Sequence, residues 1–370
     1  MTNNKIIHEV FVLRSIACLS IVMLHAVHRI YGNESLWMQL LTILLTFGTP
    51  AFVFISELVI AKSYPDHTPL RFWKKRLQYI LLPYLGFGLF YAFSKAMEGW
   101  LFNGASFLQA FATFSWRHLL IGDYHGYFII IIFQFYLLHM FFQKFLIRFS
   151  AKRVLGFSFL INMMYLSFFH FTSAPASPVL QYIWSQGYWL PFLGWLFYFS
   201  VAFYCGRHYD AFIQGLMKRK TQVFVLTAIS ACIPLSLIAT DLLTVHSSKR
   251  IDMVLFTTLM VFSLYIMAHQ MKQIPKILVK ISQYSFAIYL LHPFYMGMMI
   301  IVVSFVPLLQ QSILGAAFMF FVSILLSMLT AFVLNKIPYG AYFIGKIGIG
   351  LKPRPKSTNF STTELKTRSS

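Results

Sequence analysis

Ten stretches of this sequence are each long enough and apolar enough to cross a lipid bilayer as a helix. A transmembrane helix needs about 20 predominantly apolar residues, and it pairs its backbone polar groups within the segment, as hydrocarbon requires. The sequence therefore predicts an all-α polytopic integral membrane protein with about ten transmembrane helices. The predicted stretches cover residues 9–30, 36–61, 79–97, 124–147, 154–172, 187–206, 221–240, 251–270, 283–306 and 312–335.

The composition excludes a soluble protein. Hydrophobic residues make up 58% of the 370-residue chain and charged residues only 11%, whereas the surface of a soluble domain of this size needs many more charges. The three cysteines, Cys18, Cys205 and Cys232, lie within or at the ends of apolar stretches. This placement argues against disulfide bonds and against a metal site built from cysteine.

The net charge of +20 would suit a nucleic-acid partner, but the placement of the basic residues indicates membrane topology instead. Most of the 30 Lys and Arg residues fall in the terminal segments and in the even-numbered connections between stretches. Only Arg117, Lys249 and Arg250 fall in the odd-numbered connections. By the positive-inside rule, this bias predicts that both termini are cytoplasmic. We expect the lipid bilayer as a partner and no nucleic acid.

The first stretch carries Arg14 near one end and His25 and His28 near the other. Eleven residues separate Arg14 from His25, so at about 100° per residue both lie on one face, roughly 16 Å apart along the axis. A charge inside hydrocarbon is costly, so Arg14 should face a protein partner or a water-filled cavity. The alternative is that Arg14 anchors the helix at the interface and His25 is a packing residue.

The second stretch carries an intramembrane acid, Glu57, a few residues before its predicted cytoplasmic end. Arg14 lies at similar depth on the preceding antiparallel helix. This placement predicts an ion pair between Arg14 and Glu57, in which removal of one partner would leave the other buried and unpaired. The pair could be structural, could line the inner part of a functional site, or could do both.

Four basic residues, Arg71, Lys74, Lys75 and Arg76, form a cluster in the first inner connection, shortly before the sequence LLPY. Arg and Lys grouped within a few residues suit a polyanionic ligand such as a phosphate-bearing donor. The alternative is that these charges only retain the loop on the cytoplasmic side and attract anionic lipid head groups.

The ninth stretch places Ser285, Tyr289 and His292 on one helical face, with Pro293 directly after the histidine. The proline cannot donate a backbone hydrogen bond, which frees a carbonyl oxygen nearby. Polar side chains in apolar surroundings need partners, and this pattern favours a functional cavity over packing alone.

The longest outer connection, residues 98–123, is rich in Phe and Trp, which predicts that part of it forms a helix lying in the outer interface. His118, Asp123 and His125 follow at the outer mouth of the fourth stretch. Their spacing matches no established ligand pattern, so we predict no metal site.

The chain is predicted to contain a single transmembrane domain, residues 1–340, followed by a tail. The tail, residues 341–370, is basic and ends in PKSTNFSTTELKTRSS, which is rich in Ser and Thr and low in hydrophobicity. This composition predicts a largely disordered cytoplasmic tail.

Three features together resemble the membrane acyltransferase-3 family: Arg14 followed eleven residues later by His25, the basic inner loop that runs into LLPY, and the SxxxYLLHP pattern. The chain is most similar to the family's intercellular adhesion protein C branch. The stretches that carry this similarity are FGTPAF (47–52), GYFIIIIFQF (126–135), GWLFYF (194–199) and SFAIYLLHP (285–293).

The resemblance implies a bacterial cell-membrane O-acyltransferase that moves an acetyl or succinyl group from cytoplasmic acyl-coenzyme A onto hydroxyls of a surface polysaccharide such as poly-N-acetylglucosamine. Arg14 and His25 correspond to the core of the family's active site, and residues 71–76 correspond to the motif linked to the donor. The family's usual pair of arginines three residues apart is missing here. Glu57 stands where many members have a small residue.

The predicted catalytic set comprises His25, Arg14, Glu57, Tyr289 and His292. In it, Tyr289 and His292 stabilise the developing oxyanion or position the acceptor, and we assign His28 and His125 to the acceptor side. Acyl-coenzyme A is the expected co-substrate, no cofactor is expected to be permanently bound, and polysaccharide synthase machinery is a potential partner. Two alternatives stay open at this point. The branch has also been interpreted as an exporter of the polysaccharide, and a third interpretation is a scaffold for a synthase complex.

Overall fold

The computed structural model describes residues 7–32 and 35–348, and these form helices joined by short connections. Ten helical stretches in this part of the chain are long and apolar enough to cross a membrane, which confirms the predicted number. The third and sixth begin earlier than predicted. The ten are His8–Tyr31, Leu36–Ser63, Leu70–Asn103, Tyr127–Leu146, Ala151–Phe171, Pro178–Arg207, Lys220–Ala239, Met253–Gln270, Lys276–Phe305 and Ile313–Lys336.

Several of these stretches are interrupted by a turn or by a π-helical segment, so we number the individual α-helices in chain order. They are α1 His8–Tyr31, α2 Leu36–Leu45, α3 Gly48–Ser63, α4 Leu70–Arg76, α5 Leu82–Asn103, α6 Phe107–Trp116, α7 Tyr127–Phe141, α8 Ala151–Phe171, α9 Pro178–Trp189, α10 Leu196–Arg207, α11 Tyr209–Lys218, α12 Lys220–Ala239, α13 Met253–Gln270, α14 Lys276–Phe305, α15 Ile313–Lys336 and α16 Gly340–Ile344. The π-helical segments are Leu77–Leu81, Arg117–Ile121 and Phe142–Leu146.

Helix α1 lies at the centre of the bundle, where it packs against α3, α13, α14 and α15. Its apolar side chains, including Val12 and Leu13, are buried. The crossing with α3 requires a glycine, because a Cβ atom at Gly48 would lie 2.7 Å from the carbonyl oxygen of Ala17. Small residues at such crossings let two helix backbones approach closely. Because α1 is surrounded by protein, its polar residues can face other helices instead of lipid.

The aromatic outer connection folds back along α5. Helix α6 packs against α5, with the ring of Phe93 against those of Phe107 and Phe111. Further along, the Tyr84 hydroxyl donates to the carbonyl of His118 at 2.6 Å. The prediction of a helix in this connection is therefore confirmed. The contacts of Phe107 and Phe111 with Phe93 place α6 alongside α5, and no residue of α6 is fully buried.

Two of the basic residues in the odd-numbered connections are buried. The Nζ of Lys249 donates to the carbonyls of Tyr188 and Pro191, at 3.0 and 3.2 Å, and lies 4.6 Å from the Trp195 ring centroid. Burial lowers the pKa of Lys249 to about 7, so this side chain is only partly charged at neutral pH.

Arg250 is also fully buried, and both carboxylate oxygens of Asp252 accept hydrogen bonds from it at 2.8 and 2.9 Å. Its remaining nitrogen donates to the carbonyls of Leu243 and Val245. These two residues thus organise the 241–252 connection. Burial and hydrogen bonding therefore explain why these two basic residues lie in an odd-numbered connection.

Packed structure continues past the domain boundary predicted at residue 340. Helix α16 buries Ile344, and the Tyr342 ring stacks on Tyr79 at a centroid distance of 5.5 Å. The predicted tail therefore begins with a short helix that packs against the bundle, because its first residues are apolar and aromatic. The remainder of the predicted tail, residues 349–370, lies outside the described residues.

Candidate active site

Three histidines that are far apart in the sequence meet in the structure: His25 on α1, His125 in the connection before α7, and His292 on α14. The ring centroids of His25 and His292 are 5.3 Å apart, and those of His125 and His292 are 6.3 Å apart. The sequence predicted all three as site residues, and the fold brings them together. Within residues 7–32 and 35–348, no group of three or more His, Cys, Asp or Glu side chains is arranged to hold a metal ion.

The tautomer of His292 follows from its hydrogen bond. Its Nδ1 lies 2.8 Å from the carbonyl oxygen of Ile288, one turn earlier on α14. A carbonyl can only accept, so Nδ1 carries the proton and Nε2 carries a lone pair. Nε2 is buried without a hydrogen-bond partner among the described residues. His292 is therefore a fixed acceptor, and in this tautomer it cannot donate to an oxyanion.

His125 is held by tyrosines. The Tyr289 hydroxyl donates to the His125 carbonyl, and the Tyr91 ring packs edge-on against the His125 ring at a centroid distance of 4.5 Å. Its Nε2 is buried without a partner among the described residues. Because the Tyr289 hydroxyl is engaged, the structure places this residue as a support for His125 and not as a free donor to an oxyanion.

His25 differs from His292 in its surroundings. His292 is 1% exposed, whereas the His25 side chain is exposed although its ring contacts the buried His292 ring. Neither ring nitrogen of His25 hydrogen-bonds another described residue. A histidine that is both accessible and unpartnered can meet a substrate group directly.

His28 does not join this cluster. It lies one turn further along α1 and is exposed, and among the described residues no ring contact links it to the three histidines. Its assignment to the acceptor side stays a prediction. As an exposed neighbour of the cluster, it serves as a matched control for substitutions of His25.

The predicted ion pair between Arg14 and Glu57 is wrong. Glu57 instead pairs with His139 on α7, with Oε1 of the acid 2.6 Å from Nδ1 of the imidazole, and both side chains are buried. Arg14 lies near the N-terminal end of α1, and Glu57 and His139 lie near the C-terminal ends of α3 and α7, which are both antiparallel to α1. Depth alone therefore left two partners for the acid. Packing rotates Glu57 towards α7, which turns it away from α1.

Loss of the Glu57 side chain is expected to destabilise the protein. Breaking this buried hydrogen bond leaves the other polar group without its partner, at a cost of about 1–3 kcal/mol. Thermal unfolding of purified Glu57→Ala in detergent measures this loss.

A control with the same residue types is available at the surface. Glu9 pairs with His269 at 2.7 Å, and the His269 side chain is 39% exposed. Breaking that pair with Glu9→Ala should cost less than about 1 kcal/mol. Equal losses for the two variants would contradict a special role for the buried Glu57–His139 pair.

The predicted donor-binding cluster divides into two groups. Arg71, Lys74 and Lys75 are exposed on α4, whereas Arg76 turns inward and is half-buried. Its guanidinium lies 4.9 Å from the Phe72 ring centroid and 5.3 Å from that of Tyr136 on α7. A guanidinium over an aromatic face is held by a cation–π interaction.

The positive charge of Arg76 also acts on Arg14, so the two guanidinium groups repel each other. None of the ion pairs found among the described residues includes either arginine. Two arginines brought together without a carboxylate form a site suited to an anionic ligand, since a bound anion relieves their repulsion. Tyr136 shares this region and was missed from the sequence, where it is one aromatic residue among many.

His139 was also missed. The available signal was that it is a polar side chain near the inner end of the fourth apolar stretch, at the depth of Glu57. A search for partners of Glu57 among all polar residues of equal depth, and not only on the adjacent helix, would have identified His139 as a candidate.

The profile of the acyltransferase-3 family, described as an acyltransferase domain, matches residues 7–332. The chain belongs to this family. It is 37% identical over 363 residues to the Bacillus subtilis (strain 168) protein named "Putative membrane-bound acyltransferase YfiQ", covering 92% of this chain and 95% of that protein.

Similarity also extends to staphylococcal proteins named "Probable poly-beta-1,6-N-acetyl-D-glucosamine export protein". The Staphylococcus aureus (strain MSSA476) protein is 30% identical over 298 residues, which cover 78% of this chain and 82% of that protein. The Staphylococcus epidermidis protein is 28% identical over 302 residues, covering 79% and 81%. No solved structure matches the chain. The family and the ten apolar helices make this a multi-pass bacterial membrane protein.

Proposed function

We propose that the protein is an O-acyltransferase that takes an acyl group from cytoplasmic acyl-coenzyme A and transfers it to a hydroxyl of a cell-surface polysaccharide. The observation that carries this proposal is the arrangement along α1. Arg14 on α1 and Arg76 on α4 take part in no ion pair among the described residues. An accessible histidine, His25, lies roughly 16 Å further along α1 from Arg14. The family membership supports acyl transfer as the chemistry.

The donor binds at the arginine pair in this proposal. Coenzyme A carries several phosphate groups, which Arg14 and Arg76 can neutralise, and its long pantetheine arm can carry the thioester along α1 towards His25. The exposed residues Arg71, Lys74 and Lys75 attract the polyanion to the inner face but lie further from the bundle interior.

His25 acts as the general base. The acceptor hydroxyl oxygen attacks the thioester carbonyl carbon while its proton passes to a ring nitrogen of His25, giving a tetrahedral intermediate. The intermediate collapses as the carbon–sulfur bond breaks, and the departing thiolate takes the proton back from His25. Histidine suits this task because its ordinary pKa of about 6.5 lets it gain and lose a proton near neutral pH.

His292 supports His25 as an acceptor. Its Nε2 has no partner among the described residues, and its ring centroid lies 5.3 Å from that of His25. In this proposal Nε2 accepts the second N–H of His25. This contact would orient His25 and stabilise its protonated form. Tyr289 fixes His125, which lies at the acceptor side of the same cluster.

The acceptor class rests on the relatives. The staphylococcal relatives are named for poly-beta-1,6-N-acetyl-D-glucosamine, a polymer whose sugar rings offer hydroxyl groups for acylation. The same names carry the second candidate function, export of the polymer, which would use the bundle as a conduit and would need no general base.

Mass spectrometry of the host's surface polysaccharide separates these two functions. The comparison uses the wild type, a deletion of the gene, and a His25→Ala variant that is shown to be inserted in the membrane. We expect ester-linked acyl groups to disappear in both mutants while polymer still reaches the surface, and the lost mass identifies the acyl group. Polymer that stays inside the cell with unchanged acylation would overturn the proposal in favour of export.

A further inference from the structure

Residues 339–347 form a compact segment at the end of α15, which we call the α16 bracket. The chain reverses direction through Tyr339, whose φ of 64° is unusual for a residue with a side chain. The following Gly340 is packed so tightly that a Cβ atom there would lie 1.8 Å from the carbonyl oxygen of Leu334. A strained turn persists only where its surroundings hold it, and such turns concentrate at functional positions.

The bracket is fixed to the bundle by specific contacts. The side-chain nitrogen of Asn335 donates to the Gly345 carbonyl at 3.2 Å, and the Ile347 N–H donates to the Asn335 side-chain oxygen at 3.4 Å. Ile344 is 1% exposed and belongs to the hydrophobic cluster that contains Leu291, the neighbour of His292.

The bracket packs against the π-helical segment Leu77–Leu81. The rings of Tyr342 and Tyr79 stack with an interplanar angle of 8° and a centroid distance of 5.5 Å. This segment directly follows Arg76 and joins the basic helix α4 to α5. A π-helical turn is wider than an α-helical turn and is rare in proteins. Where it occurs, it is often found at a functional position. The direction in which α4 leaves the bundle, and with it the direction of Arg76, depends on this turn.

The other side of the bracket touches the catalytic helix. The Phe286 ring on α14 lies against Gly345, and the same ring lies 6.5 Å from that of Tyr289, one turn nearer to His292. One short segment therefore contacts both the turn that carries Arg76 and the helix that carries His292.

We propose that the α16 bracket is a positioning element for the acyl donor, with Tyr342 as its key residue. By stacking on Tyr79, Tyr342 holds the π-helical turn so that Arg76 points inward, over the rings of Phe72 and Tyr136, and not into solvent. This inference rests on the proposed donor site and goes beyond it, because it assigns a donor-affinity role to a residue that touches neither donor nor acceptor.

The test is a split between KM and kcat for acyl-coenzyme A in the full-length protein. Tyr342→Ala and Tyr342→Leu remove the ring stack and should raise KM roughly tenfold, the loss equivalent to one aromatic pair, with kcat little changed. Tyr342→Phe keeps the ring and should behave as the wild type. Phe343→Ala is the matched control, because this neighbouring ring on α16 is 65% exposed.

Hydrogen–deuterium exchange supplies a readout that does not depend on turnover. Exchange in residues 70–82 should be faster in Tyr342→Ala and Tyr342→Leu than in Phe343→Ala. Unchanged exchange and unchanged KM in membrane-inserted Tyr342→Leu would overturn the inference. A wild type that uses no acyl-coenzyme A, with faster exchange in the Tyr342 variants, would remove the proposed function while leaving the bracket's hold on the turn intact.

Discussion

Replacing His25 with alanine is expected to lower the rate of acyl transfer by about 10²- to 10⁴-fold, the usual contribution of a general base. The side chain is accessible and has no hydrogen-bond partner among the described residues, so its removal breaks no structural bond. The KM for the donor should change little, because the proposed binding site for the anionic part of the donor lies at the other end of α1. Steady-state kinetics on purified wild type and variant measure both parameters.

His28→Ala is the control for this substitution. It removes the same side chain one turn away on α1, from an exposed position outside the histidine cluster. We expect a kcat close to that of the wild type, because a residue on the acceptor side acts on the KM for the polysaccharide and not on the proton transfer. An equal loss in the two variants would indicate a general disturbance of the outer end of α1, and full activity in His25→Ala would contradict the base assignment.

Replacing Arg76 with alanine is expected to raise the KM for acyl-coenzyme A by about 10- to 100-fold. This range corresponds to the loss of one charge-assisted interaction of about 1.5–3 kcal/mol. Arg76 is the member of the basic cluster that points inward, towards Arg14 and Tyr136. Titration of acyl-coenzyme A in the transfer assay gives the KM directly.

Arg71→Ala tests whether the effect is specific. It removes the same charge from an exposed position on the same helix, where screening by solvent and salt leaves it a small contribution. We expect at most a few-fold change in KM. Similar increases for the two variants would mean that the cluster acts through its total charge, and would contradict an assigned role for Arg76.

The helices could be predicted from the sequence because the signal is direct. A run of about 20 apolar residues indicates a favourable free energy of transfer from water into the bilayer. That free energy does not depend on the partners that the helix later finds. The predicted boundaries failed where helices extend past the apolar run, as at Leu70 and Pro178. There, packing and polar helical turns lengthen the element beyond what hydropathy detects.

The histidine cluster could be predicted in part, because His25 and His292 are rare polar residues inside apolar stretches. The pairing of Glu57 could not. Its partner His139 is 82 residues away, and the choice between α1 and α7 depends on the rotation of α3 about its own axis, which only packing decides. The division of the basic cluster could not be predicted either. The π-helical segment after Arg76 changes the direction of that residue, and hydropathy does not detect such a segment.

The central claim, that His25 is the general base for acyl transfer from acyl-coenzyme A to a sugar hydroxyl, is tested most directly with purified protein in lipid vesicles. Isotope-labelled acetyl- or succinyl-coenzyme A is supplied on one side and a β-1,6-linked N-acetylglucosamine oligosaccharide on the other, and mass spectrometry follows label in the sugar. We predict labelled ester with wild type and with His28→Ala, and almost none with His25→Ala. Equal labelling with His25→Ala, or oligosaccharide that crosses the vesicle membrane without acquiring label, would contradict the account.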